Sequence, residues 1–168
     1  MANSAILDIA EYHNDVLSSL RLYFSQVPAS FGARFIGRHL DEVLASRVEE
    51  TDLRSALAIL TNVEAAFRVD YELRCQKRMK DDLSRAFRAI YKSRKARVSL
   101  EDDIFGAWRE NSTGARQLIG ELRGAFKFRH WLAHGRYWEP KLGRKYDFNF
   151  VYALADDVLN AFPFQTFE

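Results

Sequence analysis

Apolar residues recur at three- and four-residue intervals along almost all of the 168-residue chain, the repeat of helices that each bury one face. Only three prolines and eight glycines interrupt it. A first helix is expected from about Ala5 to Phe24, ending before Val27-Pro28 because proline disfavours helix in its predecessor. Ser30 is a candidate N-cap for a second helix reaching about Val48. Thr51-Asp52 sets a capping residue and a dipole-favourable acid before a third helical pattern. That pattern continues to about Lys95, and Lys80-Asp81-Asp82 is the expected kink or break in so long an element.

Ser99 followed by Asp102 resembles a capping box for a short helix through about Trp108. Asn111-Ser112-Thr113-Gly114 then opens a helix on which Leu118, Ile119, Leu122, Phe126 and Arg129 share one face, so Arg129 is expected to point toward a core or an interface. Gly135 stands where a left-handed C-terminal cap belongs, and Pro140 marks the exit. Beyond a loop through Arg144, Asp147 can cap a last helix within Tyr146–Phe162 that carries Val151, Leu154, Val158 and Phe162. The alternation from Tyr146 to Tyr152 also fits a strand. The whole pattern predicts an all-α protein of about five to six helices in one domain, with no repeats or linkers.

Composition agrees with a folded domain: 48% of residues are hydrophobic and 29% charged. No apolar run approaches the ~20 residues of a membrane span, and Met1-Ala2-Asn3-Ser4 lacks the basic start of a signal peptide, so a cytoplasmic protein without membrane contact is expected. Cys75 is the single cysteine, which excludes an intrachain disulfide and suits a small apolar helix residue. The formal charge of +2 hides an asymmetry: residues 1–70 carry 6 basic and 10 acidic side chains, residues 71–168 carry 19 and 13. Between Glu72 and Arg97, ten basic residues face Glu72, Asp81 and Asp82. Such a segment either attracts a polyanion such as RNA or forms a solvated helix face.

Two places carry candidate chemistry. Glu64 interrupts the apolar face formed by Leu53, Leu57, Leu60, Phe67 and Tyr71, and a carboxylate there must be paired, neutralised or used. Arg129 holds the equivalent place on its own stripe. A Glu64–Arg129 pair, or a bond from a histidine to Glu64, satisfies the acid, either as a structural ion pair or as a means of orienting a catalytic group. The second place is Phe128-Arg129-His130-Trp131-Leu132-Ala133-His134-Gly135-Arg136-Tyr137. Arg129 supplies a guanidinium suited to phosphate oxygens, His130 a second polar group and His134 a proton exchanger near neutral pH. Arg136 and Tyr137 add a cation and a stacking surface. His130 and His134 also have the i,i+4 spacing of zinc ligands, but Trp131 stands where a metalloprotease has glutamate and no clear third ligand is visible. His134 also suits a helix C-terminal cap.

Arg129-His130-Trp131-Leu132-Ala133-His134, at the end of an amphipathic helix, resembles the Arg-polar-x-x-x-His signature of the HEPN superfamily (higher eukaryotes and prokaryotes nucleotide-binding domains). Arg34 and His39 have the same separation, but Phe35 follows that arginine and the pair lies early in the chain. His130 departs mildly from the signature, which more often has asparagine there. The similarity covers about residues 51–162, with residues 1–50 as an N-terminal helical extension. It implies an antiparallel helical bundle that dimerises through the motif helix, so that two copies of Arg129 and His134 make one composite site. It implies metal-independent endoribonuclease chemistry without a cofactor, in which the RNA 2′-hydroxyl attacks phosphorus to leave 2′,3′-cyclic phosphate and 5′-hydroxyl ends. Arg129 would stabilise the developing charge, His134 act as general acid or base or position the 2′-hydroxyl, His130 orient the phosphate and Glu64 support them. Arg85, Arg88, Tyr91 and Lys92, with Arg136 and Tyr137, would guide RNA. Such proteins act as toxins or phage-defence effectors, restrained by a cognate antitoxin or regulatory partner. Two other functions fit the residues: a non-catalytic RNA-binding or protein-partner module, and a metal-dependent hydrolase built on His130 and His134.

Overall fold

The computed structural model describes residues 2–95, 97–112, 114–136, 138 and 140–166. They form an all-α protein with seven helices and, among the described residues, no strand. The helices are α1 (Ala2–Ser25), α2 (Phe31–Arg34), α3 (Leu40–Gln76), α4 (Asp82–Arg94), α5 (Phe105–Asn111), α6 (Ala115–Ala133) and α7 (Phe148–Ala161). Among the described residues, no helix is long and apolar enough to cross a membrane.

α3 is the axis of the molecule, about 55 Å long at 1.5 Å per residue. It replaces the expected boundary between a helix ending at Val48 and one starting at Thr51. Thr51 does not cap: its hydroxyl donates back to the Arg47 carbonyl at 2.8 Å inside the continuous helix. The break falls earlier, where Gly37 takes φ +70° and His39 turns extended before Leu40. Residue 50 therefore lies within α3 and marks no division. α1 runs antiparallel to α3, placing His13 beside Ser55 and Phe24 beside Val43. Ile6 of α1 is fully buried in the main core, so this helix is part of the bundle.

The other end of α3 was legible. It stops at Gln76, and Asp81 caps α4 by accepting the Ser84 N–H at 3.0 Å, close to the expected break. The core lies where Ile59, Val63 and Phe67 of α3 meet Trp108, Ile119, Leu122 and Val158, all at most 1% exposed. Phe67 meets Phe105, Phe162 and Phe164 edge-on, with centroids at 4.8, 5.5 and 4.8 Å. The chain end is strapped across this cluster. Arg74 donates to the Pro163 carbonyl, and Asp70 accepts from Arg74 and from the Gln165 N–H at 2.7 and 2.8 Å. Burial pushes the Asp70 carboxyl above its ordinary range, against the opposing pull of the Gln165 N–H and the Arg74 guanidinium.

Ser99 accepts the Asp102 N–H at 3.2 Å as a cap, while the reciprocal bond comes from Asp103, whose carboxylate accepts the Ser99 N–H at 2.8 Å. A π-helical turn, Leu100–Ile104, results and leads into α5. The last segment is helix, not strand: Asp147 accepts the Phe150 N–H at 3.0 Å and fixes the start of α7. The expected count of about five to six helices falls short because α2 is separate and the long pattern splits at residues 77–81.

Candidate functional site

Three buried side chains, Leu122, Phe126 and Phe128, fix the rotation of α6 against the bundle. Phe128 stacks on Tyr146 with centroids 5.4 Å apart and rings inclined by 17°. That rotation turns Arg129 inward. Its Nη2 lies 3.1 Å from Glu64 Oε2, with the two side chains 30% and 19% exposed. The second Glu64 oxygen accepts from Arg68 Nε at 2.8 Å, so one carboxylate divides its two oxygens between two guanidinium groups. Arg129 Nε is buried without a protein partner. The sequence anticipated the Glu64–Arg129 pair but not Arg68, although its i,i+4 spacing from Glu64 is the ordinary signal for such a pair.

His130 and His134 lie on the exposed side of the same helix end, one turn apart, with ring centroids 4.1 Å apart and inclined by 50°. His134 is also the C-cap, its N–H bonded to the His130 carbonyl at 3.0 Å. Gly135 then takes φ +85° and Arg136 donates its N–H to the Trp131 carbonyl at 3.3 Å, one bond of the Schellman pattern. The left-handed glycine stops the helix and leaves both rings at its open end. Among the described residues no group of three or more His, Cys, Asp or Glu side chains is placed to hold a metal.

A groove of about 350 Å³ opens in front of this end, lined by Glu64, Ser99, Glu101, Asp102, Arg129 and His130. Arg129 and His130 therefore share one cleft, with three carboxylates around it. In a single chain the local charge is unfavourable for a phosphate.

The remaining expected residues lie in two places. Arg136 is held across the molecule by Glu50, with Nη1 and Nη2 at 2.7 and 3.2 Å from its oxygens. These bonds, with a further one from Arg54, hold the Glu50 carboxyl down at about 2. Arg136 thus anchors the chain leaving α6 to α3, a role that competes with RNA contact. Tyr137 lies outside the described residues. Arg85, Arg88 and Lys92 fall on one face of α4: Arg85 pairs with Asp82 at 3.2 Å in the open, Arg88 donates to the Met79 carbonyl at 2.6 Å, and Lys92 lines a groove between α3 and α4. Cys75, half-buried on α3, has its thiol pushed up by burial.

No family model matches the chain, and no curated protein and no solved structure matches it.

Proposed function

We propose that the chain is a metal-independent endoribonuclease of the HEPN kind, acting as a homodimer whose two α6 ends face each other. The observation that carries this reading is the end of α6 itself: an arginine oriented by Glu64, next to two histidines whose rings meet at the open end of the helix. In the dimer a second Arg129 would join the first at one phosphate, and a second His134 would complete the acid–base pair.

In this scheme the RNA 2′-hydroxyl loses its proton to one histidine and forms a bond to phosphorus. The bond from phosphorus to the 5′-oxygen breaks, and that oxygen takes a proton from the second His134. The products are a 2′,3′-cyclic phosphate and a 5′-hydroxyl. Arg129 holds the charge that gathers on the phosphorane oxygens, and His130 orients the phosphate. His134 is assigned the proton transfers because it holds the histidine position of the Arg-polar-x-x-x-His signature and is exposed at the helix end. A cytoplasmic toxin or phage-defence effector, restrained by a partner protein, is the setting such an activity suits.

One observation favours a second reading, a non-catalytic protein-partner module: Glu101 and Asp102 share the groove with Arg129 and His130, and their charge repels a phosphate. The two readings separate in one assay. Cleavage of RNA by purified protein in excess EDTA, lost in Arg129→Ala and in His134→Ala, supports the ribonuclease; intact RNA, or equal cleavage by both variants, refutes it.

A further inference from the structure

A second groove is joined to the first through the Glu64–Arg68 ion pair. Arg68, whose guanidinium is held by the same carboxylate as Arg129, lines a depression of about 720 Å³ between α3 and α4. That depression continues into another of about 440 Å³; the two share Tyr71, Glu72, Tyr91 and Lys92. From Arg68 to Gln76 the groove follows eight residues of α3, about 12 Å of helix.

Its lining is unlike that of the cleft in front of Arg129. Arg68, Arg88, Lys92 and Lys95 set cations along it, opposed by Glu72, and Val98 and Ile104 give it an apolar floor. Tyr91 stands in the middle with 56% of its surface exposed, although it is large and aromatic. Beneath it Tyr71 is 7% exposed, and its hydroxyl makes no hydrogen bond to a protein nitrogen or oxygen; the Cys75 thiol is beside it. An aromatic face on an apolar floor between cations is what an unpaired base with its flanking phosphates requires. A duplex keeps its bases stacked on one another and has none to offer Tyr91. An acidic peptide would use the cations and leave the ring and floor uncovered.

We infer that this groove binds single-stranded RNA, with one unpaired base stacked on Tyr91 and the adjoining phosphates held by Lys92 and Lys95, and that it leads the strand to Arg129. The binding stands on the groove alone; the delivery to Arg129 rests on the ribonuclease reading. Glu72 and Gln76 supply an acceptor and an amide for the edge of the stacked base.

The test uses the full chain carrying His134→Ala and fluorescence anisotropy with three probes: an eight-nucleotide single-stranded RNA, the same sequence as a duplex, and a poly-glutamate peptide as competitor. The single strand is expected to bind more tightly than the duplex. Tyr91→Ala should weaken it roughly 5- to 150-fold and Tyr91→Phe should not. Lys92→Ala with Lys95→Ala should lower the salt slope by about 0.7 for each phosphate that the removed lysines had neutralised. Equal binding of duplex, indifference to Tyr91→Ala, or displacement by the peptide that does not depend on Tyr91 overturns the inference. Failure of the two proposals is distinguishable. Tyr91-dependent binding by a protein that never cleaves RNA removes the ribonuclease and keeps the groove. Cleavage with binding and KM unchanged in Tyr91→Ala removes the groove and keeps the ribonuclease.

Discussion

Replacing Glu64 by glutamine keeps its size and removes its charge, which tests whether this carboxylate is what holds Arg129 in place. Exposed ion pairs contribute about 0.2–1 kcal/mol, and breaking a fully buried one costs about 3–5 kcal/mol. Glu64 and Arg129 are 19% and 30% exposed, so the pair falls between those limits. The buried, unpartnered Arg129 Nε shifts it toward the costly side, since the guanidinium cannot swing wholly into water. A loss of about 1–3 kcal/mol follows, which for a chain of this length lowers Tm by roughly 2–12 °C. Because Glu64 also holds Arg68, whose side chain is 45% exposed, a double-mutant cycle must separate the two arms. Thermal or urea unfolding of Glu64→Gln, Arg129→Ala, Arg68→Ala and the paired variants should give a coupling with Arg129 of about 0.5–3 kcal/mol. With Arg68 it should be about 0.3–0.5 kcal/mol. A coupling with Arg129 no larger than that with Arg68 would refute the assignment of Glu64 as the residue that positions Arg129.

Three further outcomes follow from the packing. Gly124→Ala places a methyl against the Tyr146 hydroxyl and should destabilise by about 1–3 kcal/mol, whereas Gly120→Ala on the same helix meets nothing within 4 Å and should stabilise by about 0.5–1 kcal/mol; denaturation midpoints of the two variants moving in the same direction would contradict this. Asp81→Ala removes the acceptor of the Ser84 N–H and hydroxyl and one partner of Arg74, so it should cost about 1–2 kcal/mol by urea unfolding, and a change below 0.3 kcal/mol, on the order of measurement error, would deny it the capping role. His13 is stacked on Phe148 at 3.7 Å, bonded to Ser55 and 3.4 Å from Asp52, and burial lowers its proton affinity despite that acid. Its neutral form is the folded one, so stability is complete above the free value of 6.5 and declines as pH falls below it. His13→Gln should flatten the stability profile between about pH 7 and 5, and an unchanged slope would place the effect elsewhere.

Particular residues explain what the sequence disclosed. The 3–4 spacing of α6 turned Arg129 inward because its neighbours Leu122 and Phe126 are large and apolar, and the same rule on α3 made Glu64 its natural partner. Caps were legible where a short acid met a free N–H, as at Asp81 and Asp147. Thr51 misled because a threonine hydroxyl also bonds the carbonyl four residues back, which sequence does not distinguish from capping. The Glu50–Arg136 clamp was invisible, since 86 residues separate its partners and neither lies on an interrupted apolar stripe. The α3–α4 groove was half visible: the basic residues stood out, but Tyr71 and Tyr91 come together only once the chain reverses at residues 77–81.

The proposed ribonuclease would cleave RNA at the end of α6 by attack of the RNA's own 2′-hydroxyl. The decisive measurement is end-group mapping of RNA incubated in EDTA with wild type and with His134→Ala. Wild type should leave 2′,3′-cyclic phosphate and 5′-hydroxyl ends that His134→Ala does not produce. Products bearing 5′-phosphates, or the same cyclic ends from the variant, would contradict it.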